Sequence, residues 1–273
     1  MKILFVGDVF GSAGRRIVRE HLGHVRQSHQ VDLTVINGEN AAGGFGITPN
    51  LAEELFDLGA DVITTGNHVW DKRELIEYMK SAPADSHERG RRVLRPANLQ
   101  SKLPGYGVYQ GNIASGPNEG LPYAVVNLMG RVFMNATNDP FHAADEVLAQ
   151  IAAGNGAKSI LVDFHAEATS EKVAMGWYLD GRVTAVLGTH THIPTADERV
   201  LPGGTAYQTD VGMSGPYDSV IGVEKELVLN RFLTGMSGKF EAATGNPKMC
   251  AALISCDHMT GKAHKIQRLM LGE

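Results

Sequence analysis

The sequence has 273 residues, 43% of them hydrophobic and 20% charged, with 32 glycines; this is the make-up of a folded globular chain and excludes disordered and fibrous classes. A formal net charge of -5 excludes a protein whose main business is coating nucleic acid or an anionic membrane, and leaves small nucleotides open as substrates. No Pro/Ser-rich linker, charge block or repeat divides the chain, so one elaborated domain over residues 1–273 is expected.

In chain order, Ile3-Leu-Phe-Val6 is an apolar run that stops at Gly7-Asp8. It is too short for the apolar region of a signal peptide, no later run approaches a membrane span, and a cytoplasmic protein is expected. A helix is predicted over 12–28. A second apolar run, Leu33-Thr-Val-Ile36, ends in Asn37-Gly-Glu39-Asn40. Thr48-Pro49 is a helix start, with Leu51, Leu55 and Leu58 as its buried stripe and Gly59 as its end. Val62-Ile-Thr-Thr65 then runs into Gly66-Asn67-His68, and a helix is predicted over 70–80. Residues 95–128, rich in Gly, Pro and Asn, suggest antiparallel strands around Tyr106–Tyr109 and Tyr123–Val126. Helices over 139–153 and 169–180 flank Ile160-Leu-Val162, which ends in Asp163-Phe-His165. Val183-Thr-Ala-Val-Leu187 ends in Gly188-Thr-His190-Thr-His192. The tail, Met249–Cys256 and His264–Leu271 around a polar turn, predicts a closing hairpin. Cys250 and Cys256 fall on one face of a single strand, too far apart to bond, and are expected as buried free thiols.

Short runs that are apolar on both faces are strands covered by layers on either side. Alternating with helices they predict an α/β fold. The antiparallel regions leave two forms open, a mixed sheet system or two packed sheets with helices outside.

Five of these runs end in side chains that bind metals or move protons. They are Asp8; Glu39 with Asn40; Asn67 with His68; His165; and His190 with His192. In open α/β sheets ligands sit beyond the carboxyl ends of strands, so groups scattered in sequence converge there. Singly, each is more often a cap, a turn residue or a satisfied polar group. Eight at five strand ends are harder to explain that way. Carboxylates, amides and imidazoles without cysteine suit Fe, Mn, Mg or Zn, and His-x-His directs two imidazoles to the same side of an extended segment. Asp71, Asp163 and Asp197 are candidates to orient these imidazoles, with capping as the alternative. The segment Asp210-Val-Gly-Met-Ser-Gly215 either lines a pocket or forms a tight loop. Arg89, Arg91, Arg92 and Arg95 are the densest basic cluster, expected as a solvated face rather than a nucleic-acid guide.

Together, Gly7-Asp8-Val-Phe-Gly11, Asn37-Gly-Glu39-Asn40, Gly66-Asn-His68, Asp163-Phe-His165 and Gly188-Thr-His-Thr-His192 resemble the calcineurin-like metallophosphoesterases, and in detail their YmdB-like bacterial branch. Gly204–Pro216 and Asp218–Gly222 are also similar to that branch. Two departures from the superfamily pattern stand out. Phe10 occupies the His position of the first motif, and Glu39 stands where the bridging residue is usually Asp. The resemblance implies an α/β fold in the form of a layered α-β-β-α sandwich of mixed sheets, with two metal ions, Fe or Mn first and Mg or Zn next, at the strand carboxyl ends. It implies that Asp8, Glu39, Asn40 and His192 bind one and Glu39, Asn67, His165 and His190 the other, with Asn40 replacing the ligand lost at Phe10. A metal-activated hydroxide would attack phosphorus, and His68 would protonate the leaving ribose oxygen or stabilise the transition state. The implied substrates are small nucleotides, 2′,3′-cyclic and also 3′,5′-cyclic, and a homo-oligomer is in keeping with the family. No stable nucleic-acid partner and no membrane are expected. Two other readings stay open: a phosphomonoesterase or protein phosphatase on the same scaffold, and a regulatory, RNA-associated protein whose metal site is mainly structural.

Overall fold

The computed structural model describes residues 1–83, 86–236 and 238–272. In chain order, β1 (Lys2–Val6) leads into α1 (Gly11–His29), β2 (Leu33–Asn37) into α2 (Pro49–Asp57), and β3 (Val62–Thr64) into α3 (Arg73–Ser81). A 3-10 turn at Arg89–Arg92 precedes β4 (Val93–Leu94), followed by β5 (Val108–Asn112) and β6 (Pro122–Met129). Then α4 (Pro140–Ala153), β7 (Ser159–His165), α5 (Thr169–Tyr178) and β8 (Ala185–Thr189) alternate. After these come β9 (Arg199–Val200), β10 (Ala206–Gln208), β11 (Gly215–Pro216), α6 (Lys225–Thr234), β12 (Pro247–Cys256) and β13 (Ala263–Gly272).

Local chemistry sets several of these boundaries. The Thr48 hydroxyl accepts from the Leu51 amide at 3.3 Å, with Pro49 in the first turn of α2, which satisfies one of the free amides at the helix start. Asp139 caps α4 in the same way, accepting from Phe141 and His142. The helix expected from residue 70 begins at Arg73, because residues 67–72 are spent on the turns that carry Asn67 and His68.

The strands form two mixed sheets. The first has the order β11-β12-β1-β2-β3-β4, with β13 added to β12; the second has the order β5-β6-β7-β8-β10-β9. Strands β1 to β4 are mutually parallel, as are β6, β7, β8 and β10. The expected antiparallel pairs are present as β5 with β6 and as the β12–β13 hairpin. However, β6 also runs parallel to β7, so the segment expected to break the crossover pattern re-enters it.

Alternating side chains divide the core into three apolar layers. Ile3, Phe5, Leu33 and Val35 of the first sheet pack against Val125, Leu161, Ala185 and Leu187 of the second. On the outer face of the first sheet, Leu4, Val6, Ile36 and Ile63 meet Ile17, Leu22, Leu55 and Met79. On the other outer face, Val126, Val162, Phe164 and Val186 meet Val147, Ile151 and Met175. Two face-packed mixed sheets covered by helices make four layers, α-β-β-α, the second of the two forms the sequence left open and the one the resemblance implies. Cys250 and Cys256 are both buried and unpaired in β12. Helix α6 was not anticipated from the sequence, and none of its residues is buried. Among the described residues no helix is long and apolar enough to cross a membrane.

Candidate metal centre

The carboxyl ends of β1, β2, β3, β7 and β8 converge, and close backbone approach makes the convergence possible. At Gly7 an added Cβ would lie 2.0 Å from the Gly212 carbonyl oxygen. At Gly66 it would lie 2.2 Å from His165 Cδ2 and 2.4 Å from Glu39 Oε2, so only glycine lets β3 pass this closely behind the site.

Each imidazole is oriented by one nitrogen and directs the other inward. His165 Nδ1 lies 2.9 Å from Thr189 Oγ1, whose own proton goes to Asp163 Oδ1 at 2.7 Å. With that hydroxyl proton committed, His165 must donate from Nδ1, which leaves Nε2 for the site. His192 Nδ1 donates to the Ile221 carbonyl at 2.8 Å. His190 Nε2 is 3.1 Å from Glu167 Oε2, and its Nδ1 faces His165 Nε2 at 3.0 Å. The backbone amide of His190 also donates to Asp8 Oδ2 at 3.2 Å. His190 and His192 hold φ values of 98° and 65°, which side chains rarely adopt. Asp210 sits behind them: its Oδ2 accepts from the Thr191 amide at 3.1 Å, the Thr191 hydroxyl at 2.8 Å and the buried Lys172 ammonium at 2.6 Å.

The inward atoms form two groups. Around His165 Nε2 stand Glu39 Oε2 at 2.6 Å, Asn67 Oδ1 at 3.0 Å and His190 Nδ1 at 3.0 Å. Beside them, His192 Nε2 lies 3.1 Å from the Asn40 amide nitrogen and 4.0 Å from Asp8 Oδ1. Turning the Asn40 amide over would direct its oxygen to the same place. Glu39 joins the groups, since ligand atoms of Asp8, Glu39 and His165 all lie within 4.8 Å of one another.

The electrostatics suit a cation. Asp8 Oδ1 and Glu39 Oε2 are buried oxygens without a hydrogen-bond partner, a costly state unless a positive charge faces them. Burial alone would raise the Glu39 carboxyl, but the His165 charge holds it down at about 2. The same burial works against a charged His165, yet Glu39 raises that imidazole to about 9. His190 is pushed down to about 3 by burial and by His165, which keeps it neutral as a ligand must be. Burial raises Asp8. Oxygen and imidazole donors of this kind fit a divalent metal of the Fe, Mn or Zn type.

Phe10 is buried, its ring edge-on to His192 with centroids 5.5 Å apart. An added Cβ at Gly44 or Gly222 would come within 2.7 or 2.6 Å of that ring, so both glycines make room for it. His68 stands at the rim. Its Nδ1 is 2.8 Å from Asp71 Oδ2, while its backbone amide donates to Glu39 Oε1 at 2.6 Å. It lines a cleft of about 270 Å³ with Asn40, Phe45, His190, His192 and Phe240.

All eight side chains singled out in the sequence therefore come together. Of the supporting acids expected, Asp163 reaches His165 through Thr189 and Asp71 meets His68, whereas Asp197 is occupied by Thr195 and Thr209. The Asp210–Gly215 segment is a tight loop behind the site rather than part of the cleft lining. The basic cluster is tied into the fold: Arg89 pairs with Glu53 and Asp57, Arg91 stacks on Tyr106, Arg92 on Phe56, and Arg95 is buried. It is thus only partly a solvated face. Glu167, Thr189 and Ile221 were not anticipated, although Glu167 follows His165 by two residues and so shares its side of an extended segment.

A family model described as YmdB-like protein matches residues 4–269. The chain belongs to the YmdB-like family, which is a metallophosphoesterase family. Among YmdB-like relatives it is similar to a 2′,3′-cyclic-nucleotide 2′-phosphodiesterase of Bacillus subtilis, with 44% identity over 100% of this chain and 98% of the relative. A hypothetical protein from Thermus thermophilus has a crystal structure similar to it at a TM-score of 0.88, with 41% identity and full coverage of both chains. A novel phosphatase from Mycoplasma pneumoniae is equally close in structure, TM-score 0.88, at 32% identity over 100% of this chain and 93% of the other.

Proposed function

We propose that this YmdB-like chain is a dimetal phosphodiesterase that hydrolyses small cyclic nucleotides, 2′,3′-cyclic ones first. The observation that carries the reading is the convergence of two ligand groups on Glu39, in a chain similar along its whole length to a 2′,3′-cyclic-nucleotide phosphodiesterase. Asp8, Glu39, Asn40 and His192 would hold one metal, and Glu39, Asn67, His165 and His190 the other. Fe or Mn suits the mixed oxygen and imidazole donors. When bound, the pair supplies Lewis-acid charge at the phosphate and lowers the pKa of water there.

The chain's own groups do the rest. Thr189, Glu167 and the Ile221 carbonyl fix which nitrogen each imidazole offers. Asp71 orients His68 through Nδ1, leaving Nε2 to deliver a proton to the ribose oxygen as its bond to phosphorus breaks. Buried, unpaired Cys250 and Cys256 agree with a reducing compartment, and we assign the protein to the cytoplasm. The Mycoplasma pneumoniae phosphatase supports a second reading, phosphomonoester hydrolysis on the same site. Steady-state hydrolysis of a 2′,3′-cyclic nucleotide beside a phosphomonoester decides between them. Faster turnover of the cyclic diester is expected, and turnover of the monoester alone would sink the phosphodiesterase reading.

A further inference from the structure

Ile221 and Gly222 are the two-residue tip between Val220 and Val223, whose backbones exchange hydrogen bonds of 2.9 and 3.1 Å. Both tip residues have positive φ, 48° and 104°. This is the signature of a type I′ turn, whose first position favours Asn, Asp or Gly. A β-branched side chain there is strained. The hydrogen bond to His192 does not account for it, because any residue at 221 supplies the carbonyl that Nδ1 uses. The side chain itself needs a reason.

Ile221 is 49% exposed and lines two cavities, the metal cleft and a groove of about 540 Å³ that shares part of its lining. Phe45, Val223 and Phe240 line both cavities as well. The Phe45 ring lies 4.3 Å from Phe240 and 5.0 Å from His68 between centroids, so an aromatic wall begins beside the group assigned as the acid. Arg231 also lines the groove.

We propose that Ile221, with Phe45 and Phe240, forms the subsite for the nucleobase of the substrate, and that the strained turn is kept because it presents the Ile221 side chain to the face of the base. The inference rests on the phosphodiesterase reading above. A heteroaromatic base is flat and has apolar faces suited to an aromatic and aliphatic wall. In a cyclic nucleotide it hangs one ribose away from the phosphate, so it leaves the metal cleft where this wall stands.

The test compares adenosine 2′,3′-cyclic phosphate with 1-O-methylribose 2′,3′-cyclic phosphate, which lacks the base, in metal-loaded wild type, Ile221→Asn and Phe240→Ala. The ratio of their kcat/KM values is expected to fall about tenfold in each variant, through the KM of the base-bearing substrate. Ile221→Asn is also expected to melt about 2–4 °C higher as the turn relaxes. An unchanged ratio in both variants overturns the subsite, and so does an altered molar mass by light scattering without a change of ratio, which assigns the groove to contact between copies. Wild type that hydrolyses neither compound fails the phosphodiesterase reading itself and takes this inference with it; wild type that treats both compounds alike fails the subsite alone.

Discussion

Glu39 Oε2 stands 2.6 Å from His165 Nε2 with both side chains fully buried. Two lone-pair groups approach this closely only when a positive charge lies with them. In the metal-free chain that charge is a proton on His165, whose imidazole is raised to about 9 beside a Glu39 carboxyl held at about 2. A metal using the same nitrogen must displace it. At pH 7, calorimetric titration in buffers of different ionisation enthalpy is expected to show proton release on metal binding, and affinity should weaken as pH falls below about 9. Metal uptake without any proton release would show that His165 is not a ligand. The stability link has the matching sign. A His raised in the folded state stabilises it fully below its unfolded value and loses that contribution as pH rises through the folded one. Metal-free protein should therefore lose stability between about pH 7 and 9, where metal-loaded protein does not.

The His68 side chain meets Asp71 and the cleft, and only its backbone amide touches Glu39. Its replacement by alanine is expected to lower kcat by about 10²–10⁴-fold while bound metal, read by elemental analysis, stays the same. Loss of metal in His68→Ala would assign it to the metal site and remove the proposed acid.

Lys172 and Asp210 are 1% exposed and 2.6 Å apart, and Asp210 also holds Thr191 between the two site histidines. Lys172→Met leaves a buried carboxylate without its cation, which costs roughly 3–5 kcal/mol. The expected result is a melting temperature lower by about 6 °C or more, together with weaker metal retention as the strained His190–His192 segment relaxes. An unchanged melting curve would contradict the clamp.

Gly66→Ala puts a Cβ into the space of the His165 ring and the Glu39 carboxylate. Its expected effect is loss of metal and of turnover without loss of the helical circular-dichroism signal. A variant that keeps its metal would show that β3 can retreat.

The apolar runs that end at Asp8, Glu39, Asn67, His165 and His190 were legible because burial on both faces and parallel layering leave their signatures in consecutive residues. The residues that orient the imidazoles were less so. Thr189 meets His165 because they are register partners on neighbouring strands, a relation that depends on how β7 and β8 align. Asp210 reaches Thr191 from another segment, and Ile221 serves His192 through its backbone carbonyl, which no side-chain pattern reveals. Asp197 has the right chemistry in the right vicinity, yet Thr195 and Thr209 satisfy it first. Helix α6 escaped notice because it buries no stripe, and burial is what periodicity records.

In the proposed site Glu39 serves both metals, so the most direct measurement is metal stoichiometry and cyclic-nucleotide turnover in wild type and Glu39→Gln, purified alike. The expected result is two metal ions per wild-type chain, and in the variant loss of at least one with turnover reduced by about 10²-fold or more. A Glu39→Gln protein that keeps both metals and full turnover would contradict the account.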